Sequence, residues 1–246
     1  MSLTTRTRLS DPDVLRQCRD WYRSGARVPF VVDDVLEDAA ALRVGRLFQD
    51  VDGWRHHATV SISDRETVEV DPADWDRHEL RSARHFKNVG VGAIVRDTSH
   101  PSEARRALVA LMQGVILGGE LQHLLGPATG VPLSSEVGSI ELAAYGQGDE
   151  IKPHSDAGLG RAFAANFYLD PDLTEHDGTW LWYRPDLSSA ATGAAPLFNR
   201  LAIIETRPDS EHWVGPRTAS GRGRFTVSVG VQHAVPTGGP TGALSR

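Results

Sequence analysis

The chain has one cysteine, Cys18, in 246 residues. A single thiol cannot form an internal disulfide or a thiolate metal cluster. Any metal must therefore be held by histidines and carboxylates. Long apolar runs are missing too. The longest, around Ala107–Gly119, is interrupted by Gln113 and is too short to span a bilayer. Basic charge is in deficit: 26 Lys and Arg against 32 Asp and Glu leave a net charge of −6. The basic residues are scattered without a polybasic block, so neither a nucleic-acid partner nor a membrane partner is expected. The N-terminal MSLTTRTRLSDPD lacks the apolar run of a signal peptide, which gives the expectation of a cytoplasmic protein.

The remaining composition is that of an ordinary globular chain, and its length suits one domain over 1–246. Val14, Leu15, Cys18 and Trp21 stand at helical spacing and predict a helix over Asp11–Ser24, after a loose start. Arg27–Val32 reads as a short strand. Ala40, Leu42, Val44, Leu47 and Phe48 predict a second helix over Glu37–Asp50, and alternation predicts a strand over His57–Ser63. Residues 64–100 resist assignment, with a helical hint at Pro72–Leu80. A helix over Ser102–Leu125 is expected to start at Ser102 and to end at Gly126-Pro127. After Gly130, short β-rich segments alternate with Gly, Pro and Asp turns: Ser139–Tyr145, Ile151–Ser155, Ala162–Leu169, Thr179–Arg184, Leu197–Glu205 and Arg224–Val231. That texture predicts a sandwich or barrel. PTGGPTGALSR, at the end, reads as a flexible tail.

One H-x-D triplet occurs, His154-Ser155-Asp156. With 10 His in the chain, chance alone supplies about one such triplet, so the bare motif proves nothing. Context gives it weight. On a strand, residues two apart point the same way, so His154 and Asp156 would share a face and could grip one ion. Two histidines and one carboxylate form the facial triad of non-haem iron oxygenases, which leaves positions open for cosubstrate and oxygen. His212, after the turn Arg207-Pro208-Asp209-Ser210, is the leading third ligand. Twelve residues on, Arg224 opens an alternating segment that puts Arg224, Thr226 and Ser228 on one face and Phe225, Val227 and Val229 on the other. A guanidinium grips a carboxylate through two parallel hydrogen bonds, and a hydroxyl beside it can add a third. Arg222 and Arg217 are the fallback anchors.

The segment from Ala144-Tyr145-Gly146 to His154-Ser155-Asp156 resembles the prolyl-4-hydroxylase-type branch of the iron(II)/2-oxoglutarate oxygenases. The likeness continues through Asn166-Phe167-Tyr168-Leu169-Asp170, Gly178-Thr179-Trp180-Leu181-Trp182, His212 and Arg224-x-Thr226. It covers about 135–232, and Pro29–Leu36 resembles the strand that opens such proteins. Two departures stand out. Asp177 occupies a position where the family often has a second glycine, and 51–100 matches nothing familiar.

The resemblance implies a mainly β fold with flanking helices. Its core would be a double-stranded β-helix (a cupin-like jelly roll) over 131–235, supported and lidded by an N-terminal α/β portion over 1–130, with a tail over 236–246. It further implies that His154, Asp156 and His212 bind Fe(II) and that Arg224, helped by Thr226, pairs with the distal carboxylate of 2-oxoglutarate. Tyr145 would face the cosubstrate; the competing reading makes it a core aromatic. The implied reaction consumes O2 and 2-oxoglutarate, releases succinate and CO2, and hydroxylates an unactivated C–H bond. Related halogenases have a small residue where Asp156 stands, so hydroxylation is expected instead of chlorination.

For the substrate, a compact chain without a peptide-binding extension gives the expectation of a small molecule, a free amino acid or a metabolite derived from one. Arg161, Trp180, Trp182, Trp213 and Arg84 are candidate contacts, with Arg81 and His85 nearby, although core or solvated roles compete for each. Three alternatives stand beside this reading. One is a peptidyl, prolyl-type hydroxylase. Another is a cupin-like zinc hydrolase or isomerase, which would have no need of Arg224-x-Thr226. The last is a binding protein with a vestigial site.

Overall fold

The computed structural model describes residues 7–50, 55–63, 66–71, 84–90, 119–220 and 224–234. The expected helix at Pro72–Leu80, the 102–118 part of the Ser102–Leu125 helix, Arg81, Arg222 and the tail lie outside them.

Helix α1 runs Pro12–Arg23. Pro12 presets the helical φ at the first position, and the Asp11 carboxylate accepts from the Asp13 backbone N–H at 2.8 Å, capping the start. Val14, Cys18 and Trp21, at i, i+4 and i+7, form its buried face. The Trp21 ring packs on Phe30 at 5.5 Å and Phe163 at 6.4 Å. Helix α2 runs Asp38–Gln49 and buries Ala41, Val44, Gly45 and Phe48. The expected face was displaced: Leu42 is 39% exposed. The reason is Gly45. A Cβ there would lie 2.2 Å from the Leu169 carbonyl oxygen, so the helix turns its smallest residue to the sheet and comes in close. Helix α3 runs Glu120–Thr129, bounded by Gly119 and Gly130 in the left-handed region at φ +82° and +73°. Among the described residues the expected helix over Ser102–Leu125 is matched from Glu120, and Gly126-Pro127 lies inside α3 instead of ending it. Among the described residues no helix is long and apolar enough to cross a membrane.

Among the described residues twelve strands pair antiparallel. They are β1 Phe30–Val32, β2 Arg55–Ser63, β3 Glu66–Val70, β4 Arg84–Gly90, β5 Leu133–Tyr145, β6 Glu150–His154, β7 Arg161–Tyr168, β8 Leu181–Arg184, β9 Thr192–Ala194, β10 Arg200–Glu205, β11 Glu211–Val214 and β12 Arg224–His233. Ten follow one hydrogen-bonded path, and β2, paired with β4 and β3, branches from it. The order β1-β10-β7-β12-β5 forms one layer and β6-β11-β8-β9 the other, with β4 pairing to both β5 and β6. Strand alternation then separates two kinds of packing. Phe163, Phe167, Leu201, Ile203, Phe225, Val227 and Val229 face α1, α2 and α3 in one apolar cluster. Their alternates Ala164, Tyr168, Ala202 and Ile204 face the second layer and pack on Leu181, Tyr183 and Ala194. This is the jelly roll expected from sequence. Strands β3, β4, β9 and β11 were not anticipated; they are short or lie in the unassigned stretch.

Cys18 is wholly buried in the helix-facing core. Burial in apolar surroundings pushes its thiol from 9.0 to about 12, and burial likewise pushes the Tyr183 phenol from 10.0 to about 12. Both groups hold their protons longer folded than unfolded. Above pH 9 the unfolded chain therefore binds fewer protons, and stability falls as pH rises from about 9 to about 12. The slope should reach about 1.4 kcal/mol per pH unit for each such group. Thermal unfolding followed from pH 8 to 12 should show a steady decline that Cys18→Ala flattens between pH 9 and 10. An unchanged profile in the variant would show that Cys18 does not set it.

Candidate metal centre and its anchor

Strand β6 ends at His154, and Ser155 and Asp156 lead into the 3-10 helix Ala157–Leu159. Asp156 has φ −98° and ψ 0°, the sparsely populated bridge region frequent among active-site residues. His154 and Asp156 therefore do not share a strand face, as alternation had suggested. The turn swings Asp156 back over the sheet. His212 comes from β11 and is the direct cross-strand partner of His154. The two rings lie 4.2 Å apart, centroid to centroid.

One ligand atom from each of His154, Asp156 and His212 lies within 4.8 Å of the others. The Asp156 carboxylate is 3.8 Å from His154 Nε2 and 3.5 Å from His212 Nε2. His154 Nδ1 lies 2.8 Å from the Lys152 carbonyl oxygen. A carbonyl only accepts, so Nδ1 carries the proton and Nε2 keeps a lone pair turned to the cluster. Asp156 is 3% and His212 8% exposed, so these charges and dipoles act in a poorly hydrated space. Two imidazoles and a carboxylate on one point suit a borderline divalent metal.

A cavity between the layers is lined by all three residues together with Tyr145, Arg161, Asn166 and Ser228. The Arg161 guanidinium donates to Asp156 Oδ2, and at 2.9 Å to Ser139 Oγ. The Ser228 hydroxyl donates to Asn166 Oδ1 at 2.6 Å.

Arg224 is 1% exposed at the start of β12, opposite Tyr145. Its guanidinium lies 4.5 Å above the Tyr145 ring and 4.8 Å from the Tyr168 ring. Nε donates to Thr226 Oγ1 at 2.9 Å and Nη1 to the Thr179 carbonyl at 2.5 Å. Thr226 thus holds the arginine. Thr179 pays for that carbonyl's direction with φ +56°, a costly conformation for a β-branched residue. Gly178 before it has φ +76°, and a Cβ there would lie 2.4 Å from the Pro216 carbonyl oxygen, so this glycine is required. Arg224 Nη2 has no hydrogen-bond partner among the described residues, nor has the Tyr168 hydroxyl. Burial raises the Tyr168 phenol above its ordinary value, against the pull of Arg224, so it stays a donor at neutral pH. A cationic nitrogen and a phenol, both buried and unsatisfied side by side, fit a carboxylate end. Arg217, a fallback anchor, is also buried and donates to the Tyr145 carbonyl at 3.2 Å.

Three proposed substrate contacts are not in this cavity. Leu181 and Tyr183 of β8 and His212 and Val214 of β11 are turned inward, so alternation puts Trp182 and Trp213 on the outer face. There Trp180, Trp182 and Trp213 stack at 5.7 and 6.2 Å, and Arg184 lies over Trp213. Arg84 opens β4, opposite Ile151, and His85 follows it. Ser139, Asn166 and Tyr168 were not anticipated as site residues. They share inner faces with Tyr145 and Arg224, a pattern readable only once strand pairing is known.

The family profile of the 2OG-Fe(II) oxygenase superfamily matches residues 140–229. Prolyl 3-hydroxylase OGFOD1 of Xenopus laevis is 28% identical over 162 residues, which is 64% of this chain and 28% of that protein. The prolyl hydroxylase of Trichoplax adhaerens, solved with an oxygen degradation domain peptide of hypoxia inducible factor, superimposes with TM-score 0.66 at 15% identity. That match covers 94% of this chain and 96% of the other. A Pseudomonas putida prolyl-4-hydroxylase gives TM-score 0.57 at 15% identity over 91% of this chain and 100% of its own. The stretch matched by the family profile takes in His154, Asp156, His212, Arg224 and Thr226, so in the region of this site the chain is similar to the iron(II)- and 2-oxoglutarate-dependent oxygenases. That similarity supports a dioxygenase reaction with Fe(II), 2-oxoglutarate and O2, for which His154, Asp156 and His212 are placed to hold the metal.

These findings correct the expectation of a small-molecule partner. It rested on compactness, yet the Trichoplax enzyme, matched over nearly its whole length, holds a peptide. Compactness therefore does not exclude a peptide.

Proposed function

We propose that the protein is a peptidyl hydroxylase of the prolyl type, with His154, Asp156 and His212 as iron ligands. The observation that carries this is the convergence of those three residues on an inter-layer cavity, with buried Arg224 held ready beside it. The named activities of the Xenopus and Trichoplax relatives support the peptide substrate. Because the chain spans only 28% of the Xenopus protein, that protein's whole activity is not carried over.

When bound, iron and 2-oxoglutarate supply oxidising power for a C–H bond, with succinate and CO2 as coproducts. The chain's own residues do the rest. The Lys152 carbonyl fixes the His154 tautomer, and Thr226 and the Thr179 carbonyl fix the Arg224 fork. Arg224 and Tyr168 would bind the distal carboxylate. Tyr145, 2% exposed and beneath Arg224, would wall the cosubstrate from water.

The test is succinate release by purified protein given Fe(II), ascorbate and 2-oxoglutarate, with proline-containing peptides in one arm and free amino acids in the other. Peptides should stimulate succinate formation and gain the mass of one oxygen on proline. Stimulation by free amino acids alone would overturn the peptide reading. Hydrolysis or isomerisation without 2-oxoglutarate would favour the zinc alternative.

A further inference from the structure

Arg161 lies at the first position of β7 and reaches back across the cavity. Its side chain is 14% exposed and that of Asp156 4%. One amino group, Nη1, donates to Asp156 Oδ2, and the other, Nη2, donates to Ser139 Oγ at 2.9 Å. Its Nε has no hydrogen-bond partner among the described residues. Gly230 explains why. A Cβ on Gly230 would lie 2.7 Å from Arg161 Nε, 3.0 Å from Arg161 Cδ and 2.8 Å from Ser139 Oγ. The guanidinium is thus seated against Gly230 of β12, with one amino group on a carboxylate and the other on a hydroxyl. Any side chain at 230 removes that seat.

We infer that Arg161, seated by Gly230 and Ser139, is the positioning residue that orients the Asp156 carboxylate in the metal centre. The inference rests on Asp156 being an iron ligand. A carboxylate joined to the chain through a short side chain can rotate, and it can offer a metal one oxygen or both. A forked donor engaging Oδ2 stops the rotation and leaves one oxygen free to bind, which preserves positions for cosubstrate and oxygen. Arg161 is accordingly committed to Asp156, and the substrate-contact role expected from its sequence position is secondary.

The decisive experiment measures Fe(II) affinity by anaerobic equilibrium dialysis, for the wild type and for Arg161→Gln, Arg161→Lys, Gly230→Ala and Asp156→Ala. Thermal unfolding of each metal-free protein is the folding control. Partners that orient metal ligands typically contribute about 10–100-fold in affinity. Arg161→Gln should weaken iron binding by about that factor, and Arg161→Lys should recover part of it. Gly230→Ala should weaken binding as Arg161→Gln does, because it displaces the fork while keeping the charge. Gly230→Ala also separates position from charge if Arg161→Gln folds poorly. Wild-type iron affinity in both Arg161→Gln and Gly230→Ala would overturn the inference, as would a raised peptide KM with iron affinity unchanged. If the wild type bound no iron, or Asp156→Ala bound it as tightly as the wild type, the metal-centre reading itself would fall.

Discussion

Replacing His212 with alanine should abolish iron retention and reduce 2-oxoglutarate turnover by about 10³-fold or more. The magnitude follows from the several kcal/mol a bound metal supplies to the transition state, each 1.36 kcal/mol being tenfold in rate. His212 is the ligand whose role depends most on tertiary structure. Its ring stands 4.2 Å from that of His154, because the two residues are register partners between β11 and β6. Removing one imidazole leaves a histidine and a carboxylate, too few donors to hold iron against water. The fold should survive, since β11 keeps its pairing to β8 and Val214 stays in the core. Metal analysis after anaerobic reconstitution, with succinate release, checks this. Iron retained at near wild-type stoichiometry and affinity would remove His212 from the centre.

The second large effect is expected at Arg224. Arg224→Ala should weaken 2-oxoglutarate binding by about 10²–10⁴-fold, the value of two charge-assisted hydrogen bonds at about 1.5–3 kcal/mol each. Iron affinity should change far less, which separates the anchor from the metal centre. Arg224→Lys should fall between, since an ammonium is a point charge without the fork that engages Thr226 and the Thr179 carbonyl together. Stability should fall as well. The truncation removes a side chain packed between the Tyr145 and Tyr168 rings and strips the buried Thr179 carbonyl of its donor, at about 1–3 kcal/mol. Titration of 2-oxoglutarate into the anaerobic iron protein, followed by its weak visible absorption band, gives the affinity directly. Unchanged affinity in Arg224→Ala would move the anchor to buried Arg217, which donates to the Tyr145 carbonyl.

Much of this was legible along the chain. Helix α1 is announced by Asp11, Pro12 and the 14, 18, 21 spacing, because capping and helical periodicity are local. The two faces of β12 follow from alternation, with Arg224, Thr226 and Ser228 inward and Phe225, Val227 and Val229 against the helices. Helix α2 was legible in extent and not in facing. Leu42 outranks Gly45 in any hydrophobic count, but the distance to the Leu169 carbonyl admits only the glycine. The outward Trp180, Trp182 and Trp213 misled for a related reason. Large aromatics are strong sequence signals, and only the pairing of β8 with β11 and β9 shows which face they occupy.

By itself, then, the sequence determined the chemistry available: no thiolate set, an H-x-D pair, a later histidine and an alternating Arg-x-Thr strand, in an order that resembles one family. Those signals are local, carried by residue type and by periods of two and 3.6. The tertiary structure alone decided which of them meet. It brought Asp156 in from a bridge-region turn instead of along β6, set His212 opposite His154 in the register, and laid Arg161 on Gly230. Each of these contacts joins residues through strand pairing or a change in chain direction. Their geometry is set by the packing of two layers and is not written into either segment alone.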